Sequence, residues 1–450
     1  RTGSAYPYDA LREAWRTVLL QQFHDILPGS SIGWVHDQAV ENYARVEESL
    51  EALIGESLRD LAGEGEELTS FNASPYPVDG VPAFGAASIV SATGVSVSRE
   101  GDTLVIDNGL MRVQINHEGL IESLVDAATG REVIPAGTRG NLLQLFRDTP
   151  TQWDAWDLDK EYQRSGENLI AVDDLEVVEE TDQRVTVRIV RSFGQSSVMQ
   201  LVILSAQSRV VEIVTEVDWH ERQKLLKLAF PVDLHAARAA SEIQFGHIYR
   251  PTHTNTSWDT ARFETPAHRW VHVADASFGV GIANDSTYGH DISRSARDGG
   301  ASYTTVRQSL LRAPLFPDPE ADQGKHVLRS SLIVGEIADA VAEGYRLNLP
   351  LRHTTGGVVE PIVTSNNPAI VVETVKLAED HKGDVIVRLY EAHGTRASAI
   401  LVTSFEHNEV VETDLLERLR PTQVVDGVDA TGIHLTLNPF ELVTLRFARV

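Results

Sequence analysis

The sequence predicts a mainly β protein with an N-terminal α-helical segment: a large antiparallel β-sandwich, then a smaller C-terminal β-sandwich. Three observations carry that prediction. Apolar residues at helical spacing stop near residue 65, short β-branched runs between turn residues occupy 68–334, and a second β-rich block follows one more helical stretch. These changes of texture divide the chain into a helical segment at 1–65, a large sandwich at 66–350 and a small one at 351–450.

The first helix is expected over 9–27. Asp9 stands where a cap belongs, and Leu11, Trp15, Val18, Leu19, Phe23 and Ile26 recur at three- and four-residue steps. Pro28-Gly29 stops it. Ser30 or Ser31 then offers a cap for a second helix at about 34–61, with Val35, Ala39, Tyr43, Val46, Leu50, Leu53, Leu58 and Leu61 as its buried stripe. Two amphipathic helices cannot bury both apolar faces on each other, so further partners are expected. Strands are expected at 88–91, 104–106, 111–115, 185–190, 199–204 and 210–217, with Asn108-Gly109, Glu118-Gly119 and Thr129-Gly130 as hairpin turns. A helix at 336–348 shows one apolar stripe (Ala338, Val341, Ala342, Tyr345) and ends at Asn348-Leu349-Pro350. The last block carries strands at 385–390, 400–403, 433–437 and 442–447.

Composition narrows the function. The chain has 450 residues, and its 39 Lys and Arg against 65 Asp and Glu give a formal charge of −26. Phosphate backbones and anionic membranes repel such a surface, so nucleic acid and membrane partners are not expected. No apolar run reaches the length of a bilayer span. The absence of cysteine excludes disulfides and thiolate sites and suits a cytoplasmic protein. The chain opens on Arg1 and enters a helix within a dozen residues, as expected of the middle of a longer polypeptide or of a proteolytic or designed fragment.

Candidate chemistry is concentrated in a few stretches. His24-Asp25 falls at the expected helix end before Pro28-Gly29. Such a pair can ligate a metal or grip a substrate's hydroxyls, and a histidine in a last helical turn also complements the helix dipole with no function at all. The loop Trp153-Asp154-Ala155-Trp156-Asp157 alternates indoles with carboxylates. Indole faces stack on sugar C–H surfaces while carboxylates accept hydroxyls; the same loop also reads as a structural plug at the sandwich edge. The run from Arg250 to Asp259, with Glu264, His268, Arg269 and Trp270 beyond it, is dense in polar groups, and His253 and His268 read as structural histidines. Residues 312–322, rich in proline and acid, read as a rigid connector. There is no G-x-S-x-G, P-loop, H-E-x-x-H, dinucleotide glycine pattern or EF-hand loop.

At Gln22-Phe23-His24-Asp25-Ile26-Leu27-Pro28-Gly29-Ser30-Ser31-Ile32 the chain resembles the class II α-mannosidases, glycoside hydrolase family 38. The similarity continues through Trp153–Asp157, Arg250-Pro251-Thr252-His253, Leu311-Arg312-Ala313-Pro314, Pro317-Asp318-Pro319, Glu373-Thr374-Val375-Lys376, Arg388-Leu389-Tyr390-Glu391 and the terminal run from Pro439 to Leu445. The resemblance implies the end of a helical middle domain, a mutarotase-like large sandwich and a smaller one, with the barrel-like catalytic domain preceding them. It implies a Zn2+ site bound by two His and two Asp, of which His24 alone is matched here, and Asp25 as a contact to mannose hydroxyls. Asp154 and Trp156 are further candidates for substrate contact. The nucleophilic Asp is expected upstream, so no catalytic residue is expected in this chain and the chain alone is expected to be inactive. The implied partners are a mannoside or oligosaccharide and the catalytic domain, with room for a homo-oligomer. The alternative is a non-catalytic carbohydrate-binding or structural module.

Overall fold

A computed structural model describes residues 2–297, 300–421 and 424–449; Arg1, on which the reading of the chain's start rests, lies outside the described residues. The fold class is as expected, mostly strand with two N-terminal helices. Helix α1 spans Tyr8–Gln21 and α2 spans Gly33–Ala62. The short α3 (Ser257–Ala261) and α4 (Ile337–Asn348) interrupt the strands.

The large sandwich contains three sheets rather than two. A nine-stranded sheet runs in the order Asp174–Glu180, Arg184–Phe193, Ser196–Ser205, Val210–Trp219, Gly324–Val334, Gly279–Asn284, Trp270–Ala274, Arg238–Ile243, Gly246–Pro251. A six-stranded sheet has Lys224–Val232 near its centre, between Ser302–Arg312 and Leu142–Arg147. A five-stranded meander is built on Thr103–Asp107, Met111–Ile115 and Ile121–Asp126. All described pairings within these sheets are antiparallel, and each of the three expected Gly turns joins neighbouring strands with its glycine at positive φ. Alternate residues of the three sheets meet in one core: Ile106 and Val113 from the meander, Ile189, Val202 and Ile213 from the nine-stranded sheet, Leu143, Leu228 and Phe230 from the six-stranded one.

The small sandwich stacks two four-stranded sheets around Val387, Leu389, Leu401, Leu435, Leu445 and Phe447. Helix α4 sits between the two sandwiches. Its Ala340, Val341, Tyr345 and Leu347 pack with Trp270, Ala283 and Ile333 of the nine-stranded sheet and with Val371 and Tyr390 of the small sandwich. The sheet's central strands are therefore buried on both faces, and Gly279–Asn284 is buried at every residue. A capping box starts α4, in which the Glu336 side chain accepts from the Asp339 backbone and the Asp339 side chain from Glu336 N–H.

Several local expectations differ from the structure. Residues 88–91 form no strand; the nearest one is Ala86–Ala87, which pairs with Leu68–Phe71. Leu68–Phe71 also pairs with Arg352–Thr355, so this small sheet straddles the expected division at 350/351. Helix α1 ends at Gln21, not 27, because the chain turns where Phe23 O accepts from Ile26 N and Leu27 N. Pro7, not Asp9, is its N-cap, and α2 starts after Ile32 without a side-chain cap. Of the stripe expected to be buried on α2, only Ala39 is buried. No helix among the described residues is long and apolar enough to cross a membrane.

One buried charge cluster links strands of the six-stranded sheet. Lys227 is fully buried and its Nζ donates to Asp291 Oδ2 at 2.7 Å and to Glu264; Arg307 donates to Asp291 Oδ1 at 2.8 Å. Breaking a buried pair strands the remaining charge. Asp291→Ala is expected to lower stability by about 3–5 kcal/mol in urea unfolding; a loss within error would show that Glu264 alone compensates Lys227.

Candidate functional site

His24 and Asp25 lie beyond α1, in the turn that leads to α2. Gly29 at φ 77° closes this turn, a conformation that suits glycine, while Gly29 N donates to Ile26 O and Ser30 N to Asp25 O at 2.9 Å. The dipole reading of His24 needed a last helical turn, and the histidine stands outside one. Its ring is 79% exposed, packs 4.2 Å from the Phe23 ring and has Nε2 3.5 Å from Asp25 Oδ2.

Asp25 is where distant segments converge. Its Oδ1 accepts from Ser30 Oγ at 3.0 Å and from Trp156 Nε1 at 3.0 Å, the latter across 131 positions of sequence. These two donors, Trp156 first, hold the Asp25 carboxyl below the usual carboxylate range, with a smaller pull from His24. The arrangement leaves Oδ2 on the His24 side. Two expected site residues, Asp25 and Trp156, are thus in direct contact, and His24 adjoins them.

The loop that presents Trp156 is held from beneath by Arg312. Its guanidinium donates to the buried carboxylate of Asp148 and to the backbone carbonyls of Asp154 (2.7 Å), Ala155 (3.1 Å) and Asp157. Asp154 faces this support: its Oδ2 accepts from Leu315 N at 2.6 Å and Phe316 N at 3.0 Å. Trp153, at φ 59°, accepts at its carbonyl from Trp156 N and Asp157 N, both at 2.8 Å, and makes an edge-to-face contact with Trp156 at 6.4 Å. Phe316 lies 6.3 Å from Trp156 on another side. Both tryptophans are exposed, Trp153 at 67% and Trp156 at 48%, so neither plugs the sandwich edge.

The connector at 312–322 also reaches the helices. His36 Nδ1 of α2 lies 3.4 Å from Asp318 Oδ2, and a Cβ on Gly33 would meet Asp318 Oδ1 at 3.0 Å. A side chain larger than hydrogen at Gly33 would press on that contact. Sequence reasoning missed Ser30, Phe316 and Asp318, which it read as a cap and a connector. The signal available for Ser30 was its place just past Pro28-Gly29, which returns the chain onto Asp25. His253 and His268 are not part of this site. His253 faces Asp259 at 3.4 Å beside the Thr256–Asp259 capping box, and His268 packs edge-on to Tyr288.

Among the described residues no three His, Asp or Glu side chains come together to hold a metal ion. His24 and Asp25 offer the nitrogen and oxygen donors that zinc takes, but a four-coordinate site needs more than they supply. They fit a share of such a site and do not complete one.

Trp156→Phe removes the Nε1 donor and keeps a ring. The depressed Asp25 carboxyl favours the assembled site above the ordinary carboxylate range and loses that contribution as pH falls through its folded value. In the variant the Asp25 titration midpoint, followed by carboxyl NMR, is expected to rise toward the ordinary carboxylate range. An unchanged midpoint would show that the indole does not hold Asp25.

Comparisons with known proteins agree along the chain. The model of the alpha mannosidase middle domain matches residues 1–61, that of the glycosyl hydrolases family 38 C-terminal domain matches 106–320, and that of the family 38 C-terminal beta sandwich domain matches 369–445. The chain is 35% identical to alpha-mannosidase 2C1 of Homo sapiens over 98% of its own length and 46% of the relative's. It is 28% identical to the alpha-mannosidase of Saccharomyces cerevisiae, over 98% of this chain and 44% of that one. The chain thus spans less than half the length of these relatives. The crystal structure of an alpha-mannosidase from Enterococcus faecalis shares the fold with a TM-score of 0.76 at 15% identity, over 98% of this chain and 64% of the other. With its middle and C-terminal domains matched in order, the chain belongs to glycosyl hydrolase family 38.

Proposed function

We propose that the chain is the C-terminal part of a zinc-dependent, retaining α-mannosidase that hydrolyses terminal α-mannosides, and that the catalytic domain lies outside these residues. The observation that carries this reading is the Asp25 carboxylate, fixed by Trp156 and Ser30 beside an exposed His24 within a family 38 chain. His24 would supply one nitrogen ligand to zinc, which when bound holds sugar hydroxyls and offsets negative charge. Asp25, with Oδ1 occupied by its two donors, would accept mannose hydroxyls at Oδ2. Trp156 and Ser30 hold that carboxylate in one orientation, so the hydroxyls meet a preset acceptor. The nucleophilic carboxylate and the acid that protonates the leaving oxygen would come from the catalytic domain.

The helical surface supports a further domain there. Leu20, Phe23, Leu27, Ile32 and Trp34 are exposed around the His24–Asp25 turn, a concentration of apolar side chains typical of a contact surface. The lack of cysteine suits the cytosol as its compartment. Sugar binding without catalysis is the second reading, favoured by the exposed faces of Trp153 and Trp156.

The test uses a polypeptide that carries both the catalytic domain and this chain. His24→Ala is expected to reduce aryl α-mannoside hydrolysis about a hundredfold or more, as misplacement of a reacting group does, and the 450-residue chain alone is expected to show no turnover. Full activity of His24→Ala, or turnover by the isolated chain, would overturn the proposal.

A further inference from the structure

A cavity lies far along the chain from Asp25, where the two sandwiches and α4 meet. It has a volume of about 320 Å³ and is walled by residues of separate segments, among them Phe245, Arg269, Tyr288, Tyr345, Glu373 and Tyr390. That volume sits at the small end of ligand pockets, and domain junctions are where such pockets concentrate. Two of the family-like motifs, Glu373-Thr374-Val375-Lys376 and Arg388-Leu389-Tyr390-Glu391, each send a side chain into it, and the site at Asp25 uses neither.

The cavity pairs a polar floor with an aromatic rim. On the floor, the hydroxyls of the buried Tyr345 and Tyr390 lie 3.0 Å apart, and Tyr345 donates outward to Glu373 Oε2. Glu373 is an exposed residue, so its carboxylate stands at the open side of the cavity. Its second oxygen, Oε1, has no hydrogen-bond partner among the described residues. On the rim, Tyr288 and Phe245 are 52% and 40% exposed, and each is braced edge-to-face, Tyr288 by His268 and Phe245 by Tyr390. Phe245 also holds φ 55°, a costly backbone for a bulky residue, and one that fixes the ring at the cavity mouth.

Charge selects the class of ligand. Arg269 is bound through Nε and Nη2 to Glu242, at 3.1 and 2.6 Å, so its charge is already matched. An anion would then face Glu373 and Asp285 without compensation. The Tyr345 ring face that a ligand cation would use is already covered by the Arg269 guanidinium at 3.8 Å. Neutral polyhydroxyl compounds meet neither obstacle: hydroxyls donate to a carboxylate oxygen while a sugar's C–H face lies on an aromatic ring. We propose that this cavity is a second, non-catalytic binding site for a neutral hexopyranose, gripped by Glu373 and stacked on Tyr288.

Binding of methyl α-mannoside and methyl α-glucoside to the 450-residue chain is followed by ligand-observed NMR, with choline as the cationic control. At least one sugar is expected to saturate in the millimolar range. Tyr288→Ala and Glu373→Gln are each expected to weaken it about tenfold or more, whereas Tyr288→Phe and Trp156→Ala retain it. Glu373→Gln keeps an acceptor for the Tyr345 hydroxyl, so it tests the grip even if Tyr288→Ala fails to fold. Saturation by choline alone, saturation by no sugar, or loss in Trp156→Ala with none in Glu373→Gln would overturn the proposal. The last result would assign the sugar to the Asp25 site and leave the proposed function standing.

Discussion

Helix α4 is the wedge on which the arrangement of the two sandwiches depends. The centre of the nine-stranded sheet is apolar on both faces, and water on the outer face would leave Trp270, Ala283 and Ile333 exposed. One stripe of α4 covers that face, while Tyr345 and Leu347 also pack with Val371 and Tyr390 of the small sandwich. The aromatic and hydrophobic parts of Tyr345 and Tyr390 are buried, yet their hydroxyls need partners. They find each other and Glu373, and the polar floor of the junction cavity results from that requirement.

A second constraint works at the opposite kind of place, in a loop. Arg312 gathers Asp148 and three carbonyls of the 154–157 turn, so a segment without regular structure behaves as a fixed platform. The buried Asp148 carboxylate needs a cationic partner, and the planar guanidinium that supplies it has donors left for the three carbonyls. Trp156 is thereby held outward with its Nε1 directed at Asp25. A side chain from the β region therefore positions a carboxylate in the helical region, and the two regions build one site.

Membership of family 38 accounts for the order of the matched domains, and the fold agrees with that of a solved alpha-mannosidase. The exposed apolar groups around the His24–Asp25 turn then have a physical reason. Helices α1 and α2 bury little of their apolar surface on each other, with Gln21, Ala39 and Ala62 their only buried residues, and the sandwiches behind them do not cover the rest.

The sequence by itself determined the elements whose information is local. Short β-branched runs marked the strands around Ile189, Val202 and Ile213, Gly at 109, 119 and 130 marked the turns of the five-stranded meander, and the stripe of Tyr345 marked α4. His24, Asp25 and Trp156 were legible as chemistry because their residue types are informative wherever they stand. Local signals failed where the answer lay elsewhere in the chain. The stripe of α2 looked buried because amphipathicity shows which face seeks a partner, not whether one is present. Likewise, spacing could not reveal that Trp156 donates to Asp25, that Arg312 holds the turn beneath it, or that Glu373 meets Tyr345. Each contact joins residues from separate elements, 131, about 155 and 28 positions apart, and only the tertiary arrangement brings them within hydrogen-bond reach.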